Sequence, residues 1–278
     1  MNTRLTLIHA LTPLHAGTGQ AAGAIDLPIA RERPTGIPYL PGSSIKGALR
    51  ARTTSDAVKH VIFGPETDNA SEHAGAVHFA DAHLLLLPVR SLWGTFAWVT
   101  SHYLLRRFAR DLAEARLHLK LPDPPKKLDE CLVTRSSKLG TKVILEDLDF
   151  RPQATLPDEW LKVVANGLAI PDLDERLCVV HDDVMSTLME TATEVRARIR
   201  LKEDTKTVAK GALWYEESLP TESILFGLVV ASDARGHKAT DLLAHLTNTT
   251  KSGNIQLGGK ATVGRGVSAL RILDGGAK

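Results

Sequence analysis

Several signatures that mark whole protein classes are missing from this chain. Cysteine is scarce: only Cys131 and Cys178 occur in 278 residues, with no C-x-x-C pair. A disulfide scaffold and a zinc finger are therefore excluded, and a reducing cytosol is the natural setting. No run approaches the roughly 18 apolar residues of a bilayer-spanning helix. The longest, Leu84 to Val89 and Ile224 to Ala231, fall far short, and the first contains Pro88. The N-terminal segment is no export signal, because Thr6, His9 and Thr12 interrupt it, Pro13 breaks it, and its period is two. Neither charge sign dominates, with 34 Lys and Arg against 32 Asp and Glu, so attraction to a polyanion or a membrane must be local. Internal repeats, low-complexity tracts and an H-E-x-x-H zinc motif are also absent.

What remains is the composition of a soluble globular protein, 43% hydrophobic and 24% charged. The length allows one large domain or two modest ones, with ample core. Leu5 to Leu11 alternates as a strand. A loop from His15 to Pro41 follows, with glycines 17, 19, 23 and 36 and prolines 28, 34, 38 and 41. Connections this long inside a compact domain are usually functional. A helix then begins at Ile45, with Ser43 or Ser44 as its cap and Ile45 and Leu49 on its core face. Ala76 to Val89 reads as one or two strands. Ser101 to Leu119 reads as a helix with Leu104, Phe108, Leu112, Ala115 and Leu119 on one stripe, closed by Pro122, Pro124 and Pro125. The stretch from Leu128 to Met189 is hard to read and acidic: between Glu146 and Glu190 eleven Asp and Glu face three Lys and Arg, a local net of −8. Ser223 to Ala231 is a buried strand, Thr240 caps a helix through Leu246, and Val267 to Leu273 is the last strand. The two ends thus spell strand–helix–strand twice, the order of a ferredoxin-like or RRM-like α+β core. One domain spans 1–278, with its core in about 1–90 and 211–278 and a partly helical insertion over about 91–210.

Five constellations carry potential chemistry. Ser43-Ser44-Ile45-Lys46 matches the S-x-x-K of serine β-lactamases, but S-D-N, K-T-G and an export signal are missing, so acyl-enzyme chemistry is rejected. His181-Asp182-Asp183 lacks partner histidines and reads as a solvated acidic loop. The helix at Ser43 offers free N–H groups, with Lys46 and Arg50 one turn apart and Gly47 permitting close approach. It reads as a phosphate cradle, or more plainly as a capped amphipathic helix with two solvated cations. From Val195 to Lys202 apolar and basic residues alternate, so Arg196, Arg198, Arg200 and Lys202 share one strand face. Their mutual repulsion points to a polyanion opposite. The loop Gly253 to Gly266 is neither a P-loop nor a Rossmann turn, since it leads into a strand. Its five glycines, Lys260 and Arg265 suit close approach to phosphates or make a plain glycine-rich turn.

Taken in order, these segments resemble a known family. His15-Ala16-Gly17-Thr18-Gly19, Asp26-Leu27-Pro28-Ile29 with Arg31-Glu32-Arg33, Pro41 through Arg50, and the glycine-rich tail resemble the RAMP proteins of type III CRISPR systems. Phe79-Ala80-Asp81-Ala82, Pro88-Val89-Arg90-Ser91 and Gly211 through Glu217 before Leu219-Pro220 narrow the likeness to the repeated backbone subunit of the type III-B (Cmr) effector complex. The likeness covers nearly the whole chain and is weakest from Leu119 to Glu194.

The resemblance implies a guide-RNA-binding subunit that stacks head-to-tail with further copies and joins other Cmr subunits. It also implies a thumb-like hairpin, for which Leu173 to Lys202 is a candidate. Asp26 takes the place of the cleaving aspartate, with His15, Tyr215 and Glu216 as further catalytic candidates. Ser43, Ser44, Lys46, Arg50, Arg196, Arg198, Arg200, Gly259, Lys260 and Arg265 are the expected RNA contacts. The expected reaction is metal-dependent endonucleolytic cleavage of single-stranded target RNA. Mg2+ or another divalent cation is then held weakly by Asp26 with RNA phosphates, because one carboxylate is a poor metal site alone. Two rivals stay open: a non-catalytic RNA-binding scaffold, and a guide-processing ribonuclease using histidine acid–base chemistry without metal. No membrane partner is expected, and the cytoplasm is the expected location.

Overall fold

A computed structural model describes residues 1–19, 25–66, 68, 73–118, 120–156, 159–251 and 253–273. In chain order the strands and helices are β1 (Asn2–Ala10), β2 (Tyr39–Leu40), α1 (Gly42–Arg52), α2 (Asp56–Phe63), β3 (Val77–Phe79), β4 (Ala82–Arg90), β5 (Phe96–Ser101) and α3 (His102–Glu114). Then come β6 (Glu130–Val133), β7 (Val143–Leu145), β8 (Leu148–Thr155), α4 (Glu159–Leu168), β9 (Leu177–Val180) and α5 (Asp182–Thr191). The chain closes with β10 (Glu194–Leu201), β11 (Val208–Ser218), β12 (Ile224–Ala231), α6 (Ala239–Lys251), β13 (Ile255–Gln256) and β14 (Val267–Ile272).

Four of these strands stand side by side as β14-β1-β12-β4, each antiparallel to its neighbour. That is the 4-1-3-2 arrangement of a ferredoxin-like unit, with α1 and α6 as its two crossovers. The period of two in β1 sorts its side chains cleanly. Ile8 and Ala10 join a core with Ile45, Leu49, Leu242 and Leu246 from α1 and α6. Leu5 and Leu7 face the other way, into Leu105, Phe108, Trp160 and Val164 from α3 and α4. The middle of the chain continues the sheet as β5-β9-β6-β8-β7, and its helices cover the face a bare ferredoxin-like core leaves open. Burying one such Leu or Phe contributes roughly 1.5–3 kcal/mol.

Some expected boundaries move. The helix expected to reach Leu119 ends at Glu114, because Arg116 turns into left-handed backbone at φ 63°; Leu119 lies outside the described residues, as does Gly23. The last helix starts at Ala239, whose amide donates to Asp233 Oδ1 at 2.8 Å, so Thr240 is not its cap, and it runs past Leu246 to Lys251. His181 is the N-cap of α5, its Nδ1 accepting from the Asp183 amide at 3.2 Å. Cys131 and Cys178 are buried and free thiols, and a hydrogen bond with Cys131 together with burial pushes the Cys178 thiol up. Among the described residues no helix is long and apolar enough to cross a membrane.

The hairpin β10–β11 stands apart as a two-stranded sheet. Its alternation is real, yet Val195, Ile199 and Leu201 are each about half exposed (48%, 51% and 48%). The apolar face has no core behind it. The candidate thumb segment from Leu173 to Lys202 therefore divides: β9 lies inside the main sheet, α5 packs against the body, and β10 alone projects.

Candidate nucleic-acid interface

The block Pro41 to Arg50 is shaped by what it packs on. Gly42 lies so close to the turn between β3 and β4 that a Cβ would run into the Phe79 carbonyl oxygen and sit 2.9 Å from the Ala80 carbonyl. From that turn Asp81 Oδ1 accepts the Gly42 amide at 2.8 Å. The N-cap is Pro41, whose carbonyl accepts from the Ser44 and Ile45 amides at 2.9 and 3.3 Å. Neither serine hydroxyl caps the helix, contrary to expectation, because a carboxylate 39 residues away does that work. Ser43 is exposed and Ser44 half-buried. Lys46 makes no ion pair among the described residues. Arg50 is fully engaged: it donates to the carbonyls of Gly64 and Pro65 at 3.0 Å each and pairs with Glu66 at 2.9 Å. It staples α1 to the end of α2 rather than standing free for a ligand.

The Asp26 loop is strapped to the base of β11. The Leu27 amide donates to the Tyr215 carbonyl and the Glu217 amide to the Leu27 carbonyl, both at 3.0 Å. Asp26 is exposed, and its Oδ2 accepts the Tyr215 amide at 2.8 Å. Glu217, buried, accepts from the Ile29 amide at 3.0 Å, Arg31 at 2.6 Å and the Thr193 hydroxyl at 3.0 Å. Its carbonyl meets His15 Nδ1 at 2.7 Å. A carbonyl only accepts, so Nδ1 carries the proton and Nε2 is left toward Gly17, where a Cβ would come within 2.6 Å of it. Opposite, the Gly259 amide donates to the His15 carbonyl at 2.9 Å. A Cβ on Gly258, which is left-handed at φ 68°, would collide with that same carbonyl. The glycines of this loop let it lie directly on the His15 segment.

These pieces enclose a groove of about 570 Å³ lined by His15, Gly17, Leu27, Pro28, Ser44 and Lys260. His15, Ser44, Gly259, Lys260 and the Asp26 loop, far apart in sequence, thus meet in one place. Behind it, Glu216 is only 3% exposed and gathers cations: Lys260 at 3.0 Å, Arg198 at 3.3 Å and Arg265 at 3.7 Å. Burial pushes its carboxyl up, but the Trp214 indole N–H at 2.8 Å, Lys260 and Arg198 outweigh that and hold it at about 2.

This geometry redraws the expected cation set. Arg265, 2% exposed, donates to the Ser218 hydroxyl and lies beside Glu216, so it is a core cation and not a surface contact. Arg196 pairs with Glu194 at 2.7 Å. The repulsion along the basic face of β10 is thereby partly met within the chain by Glu194 and Glu216. Arg200 is exposed and has no ion pair among the described residues. Tyr215 is 42% exposed and touches the site through its backbone. Glu217, quoted in a motif but given no role from sequence, ties the Asp26 loop and His15 together; no local signal marks it, since it shares a strand phase with the exposed Leu213 and Tyr215 and its partners lie far along the chain.

Among the described residues no three His, Cys, Asp or Glu side chains come together to hold a metal ion. Asp26 offers one uncommitted carboxylate oxygen, which is not a resident magnesium site.

A family model of the RAMP superfamily matches residues 7–267. The chain is 34% identical over 285 residues to the CRISPR system Cmr endoribonuclease Cmr4 of Pyrococcus furiosus, covering 99% of this chain and 97% of that one. It is 26% identical to the CRISPR system CMR subunit Cmr4 of Saccharolobus solfataricus, covering 96% and 95%. The crystal structure of oligomeric Cmr4 from Pyrococcus furiosus superposes with a TM-score of 0.77 at 28% identity, over 98% of each chain.

Proposed function

The chain belongs to the RAMP superfamily, and on that premise we propose that it is an RNA-cutting subunit of a type III-B CRISPR effector. It grips a guide RNA, assembles with copies of itself and with other Cmr subunits, and cleaves the target strand. The relative named a Cmr endoribonuclease matches this chain almost end to end, which supports the activity. The observation that carries the reading is Asp26: an exposed carboxylate, fixed through one oxygen by the Tyr215 amide, next to Leu27 and Pro28 in the groove wall.

RNA carries its own nucleophile, so the protein's task is alignment and proton transfer. The 2′-hydroxyl oxygen attacks the adjacent phosphorus and its proton passes to the uncommitted oxygen of Asp26. The bond from phosphorus to the 5′-oxygen breaks, that oxygen takes a proton from water, and the hydroxide left behind takes back the proton held by Asp26. The products are a 2′,3′-cyclic phosphate and a 5′-hydroxyl. Lys46, Ser43, Ser44, Gly259 and Lys260 hold phosphates; they read no bases, which suits a subunit that accepts any guide sequence. His15, nearly buried with its tautomer set by Glu217, shapes the groove wall. It is the only histidine among the described lining residues, which does not favour a guide-processing mechanism built on paired histidines. A divalent cation enters this reading with the RNA, whose phosphates must supply most of its ligands.

A scaffold reading draws on the same bond that fixes Asp26, since a carboxylate accepting a backbone amide is a structural device in its own right. Asp26→Asn separates the two. The asparagine oxygen still accepts the Tyr215 amide, so fold, guide binding and target capture persist. Cleavage falls by at least ~10²-fold if the carboxylate takes the proton. Near-normal cutting by the assembled variant would remove Asp26 from the mechanism and favour the scaffold.

A further inference from the structure

A second, larger depression of about 780 Å³ lies where the Asp26 segment reaches Arg31. One wall is α3. Tyr103, Arg106, Arg107 and Arg110 recur at i, i+3, i+4 and i+7, so the helix turns one polar stripe into the depression while Leu105, Phe108 and Leu112 fill the core. The facing wall is the turn carrying Arg33, with Tyr39 beside it. Glu32 ties the walls together. It receives two N–H groups of Arg107 at 2.7 Å each and the Thr35 hydroxyl at 2.6 Å. The Arg107 bond, against opposing burial, holds the Glu32 carboxyl at about 2, so the fork stays charged.

The carboxylates here are already committed. Glu32 serves Arg107, Asp81 caps α1, and Asp111 takes one side of Arg110 at 3.0 Å. Arg33 and Arg106 have no carboxylate partner among the described residues. Arg106 instead lies over the Tyr103 ring, 5.7 Å from its centre, and the Arg110 side chain is 65% exposed. The Glu32 fork occupies Arg107 alone and Asp111 only one side of Arg110, so Arg33, Arg106 and the outer edge of Arg110 present positive charge that an anion would neutralise. Planar forks fit phosphate, and tyrosine faces beside them fit unstacked bases. An acidic protein face would use the forks and leave the rings idle.

We propose that this depression is a second RNA site, seating the phosphodiester backbone of one single strand on Arg33, Arg106 and Arg110 with Tyr39 and Tyr103 toward its bases. The proposal rests on the reading that the chain handles RNA and is independent of Asp26 as the cutting group. The strand is the guide or the target, and the test tells them apart.

The assembled full-length protein is loaded with guide and target, with 4-thiouridine placed in one strand or the other, and irradiated. The expected result is a crosslinked peptide from α3 in one arm, which identifies the strand. In parallel, a fluorescein-labelled single-stranded RNA of arbitrary sequence is titrated against wild type and an Arg106→Ala, Arg110→Ala double variant. Affinity at physiological salt should fall about tenfold, and the salt slope by about 1.4, two phosphates at ~0.7 each. The Arg106→Lys, Arg110→Lys variant should keep the slope and recover only part of the affinity. Arg106 has no carboxylate partner among the described residues, so Arg106→Ala alone should leave the melting temperature unmoved, whereas Arg110→Ala also strips Asp111, 8% exposed, of its cation, and RNA binding by the double variant is read below its own melting transition. RNA bound with unchanged slope and crosslinks only elsewhere overturns this site and leaves the proposed function standing. No RNA binding by wild type at any salt overturns the proposed function and this site with it. Poly-L-glutamate that binds wild type better than the double variant, with RNA binding equal in both, assigns the depression to an acidic protein and also overturns the proposal.

Discussion

Glu216→Gln removes a charge from a buried carboxylate with three cations around it while preserving its size. In the folded chain the carboxyl titrates at about 2 instead of 4.5, burial opposing and the Trp214, Lys260 and Arg198 contacts prevailing. At about 1.4 kcal/mol per tenfold, that difference contributes roughly 3 kcal/mol at pH 7. Arg265, 2% exposed, would also lose its carboxylate, and breaking a buried pair from one side costs ~3–5 kcal/mol. The two routes agree on the scale. Because the folded value is the lower one, the stabilisation is complete above pH 4.5 and lost as pH falls toward 2. Urea denaturation of both proteins should therefore differ by about 3 kcal/mol at pH 7 and by only about 1 kcal/mol at pH 3. A gap below ~1 kcal/mol at pH 7, or one that does not close on acidification, would refute the assignment of Glu216 as the charge that holds Lys260, Arg198 and Arg265 together.

Three further outcomes are expected. Gly42→Ala drives a methyl into the backbone of the β3–β4 turn and should cost about 1–3 kcal/mol as overpacking; an unchanged melting temperature would mean that the turn yields freely. Lys46→Ala should weaken RNA binding equally for unrelated sequences and reduce the single-strand salt slope by about 0.7, whereas a loss confined to one sequence would argue for base reading. Glu32 is held at about 2, chiefly by the Arg107 bond against burial, so its stabilisation is present above pH 4.5 and lost toward pH 2. Glu32→Gln should be destabilised at neutral pH and flatter than wild type through that acid range, and parallel pH profiles in denaturation would contradict it.

Periodicity found the core because core contacts obey local geometry. Leu5 and Leu7 against Ile8 and Ala10, and Ile45 with Leu49, take the faces that strand and helix spacing assign them. The order of elements sufficed for the ferredoxin-like reading. What sequence could not carry was pairing across the chain. The cap of α1 comes from Asp81, not from the adjacent serines. Asp26 meets the Tyr215 amide 189 residues away, and His15 meets the Glu217 carbonyl 202 residues away. The basic alternation of β10 was legible, but the carboxylate facing it was not, nor the absence of a core behind its apolar face. On α3 the apolar stripe concealed the arginines of the opposite face. Arg50 and Arg265 show the same limit from the other side: residue type suggested ligand contacts, and tertiary partners claimed them.

The organising element of the candidate site is the end of β11. Successive residues of a strand face opposite ways, and here each phase has its own task. Glu216 points toward Arg198, Lys260 and Arg265 and so fixes the position of the groove's lysine. Glu217 points the other way and holds the Ile29 amide, Arg31 and Thr193, while its carbonyl sets the His15 tautomer. Just before them, the backbone of Tyr215 grips Asp26 and Leu27. The same strand continues outward as one arm of the projecting hairpin, with no break between the two. Asp26 is therefore positioned relative to the groove by the seat of the hairpin more than by its own loop. A displacement of that hairpin reaches the carboxylate directly through the Tyr215 amide and indirectly through the two backbone bonds of Leu27, and reaches Lys260 through Glu216.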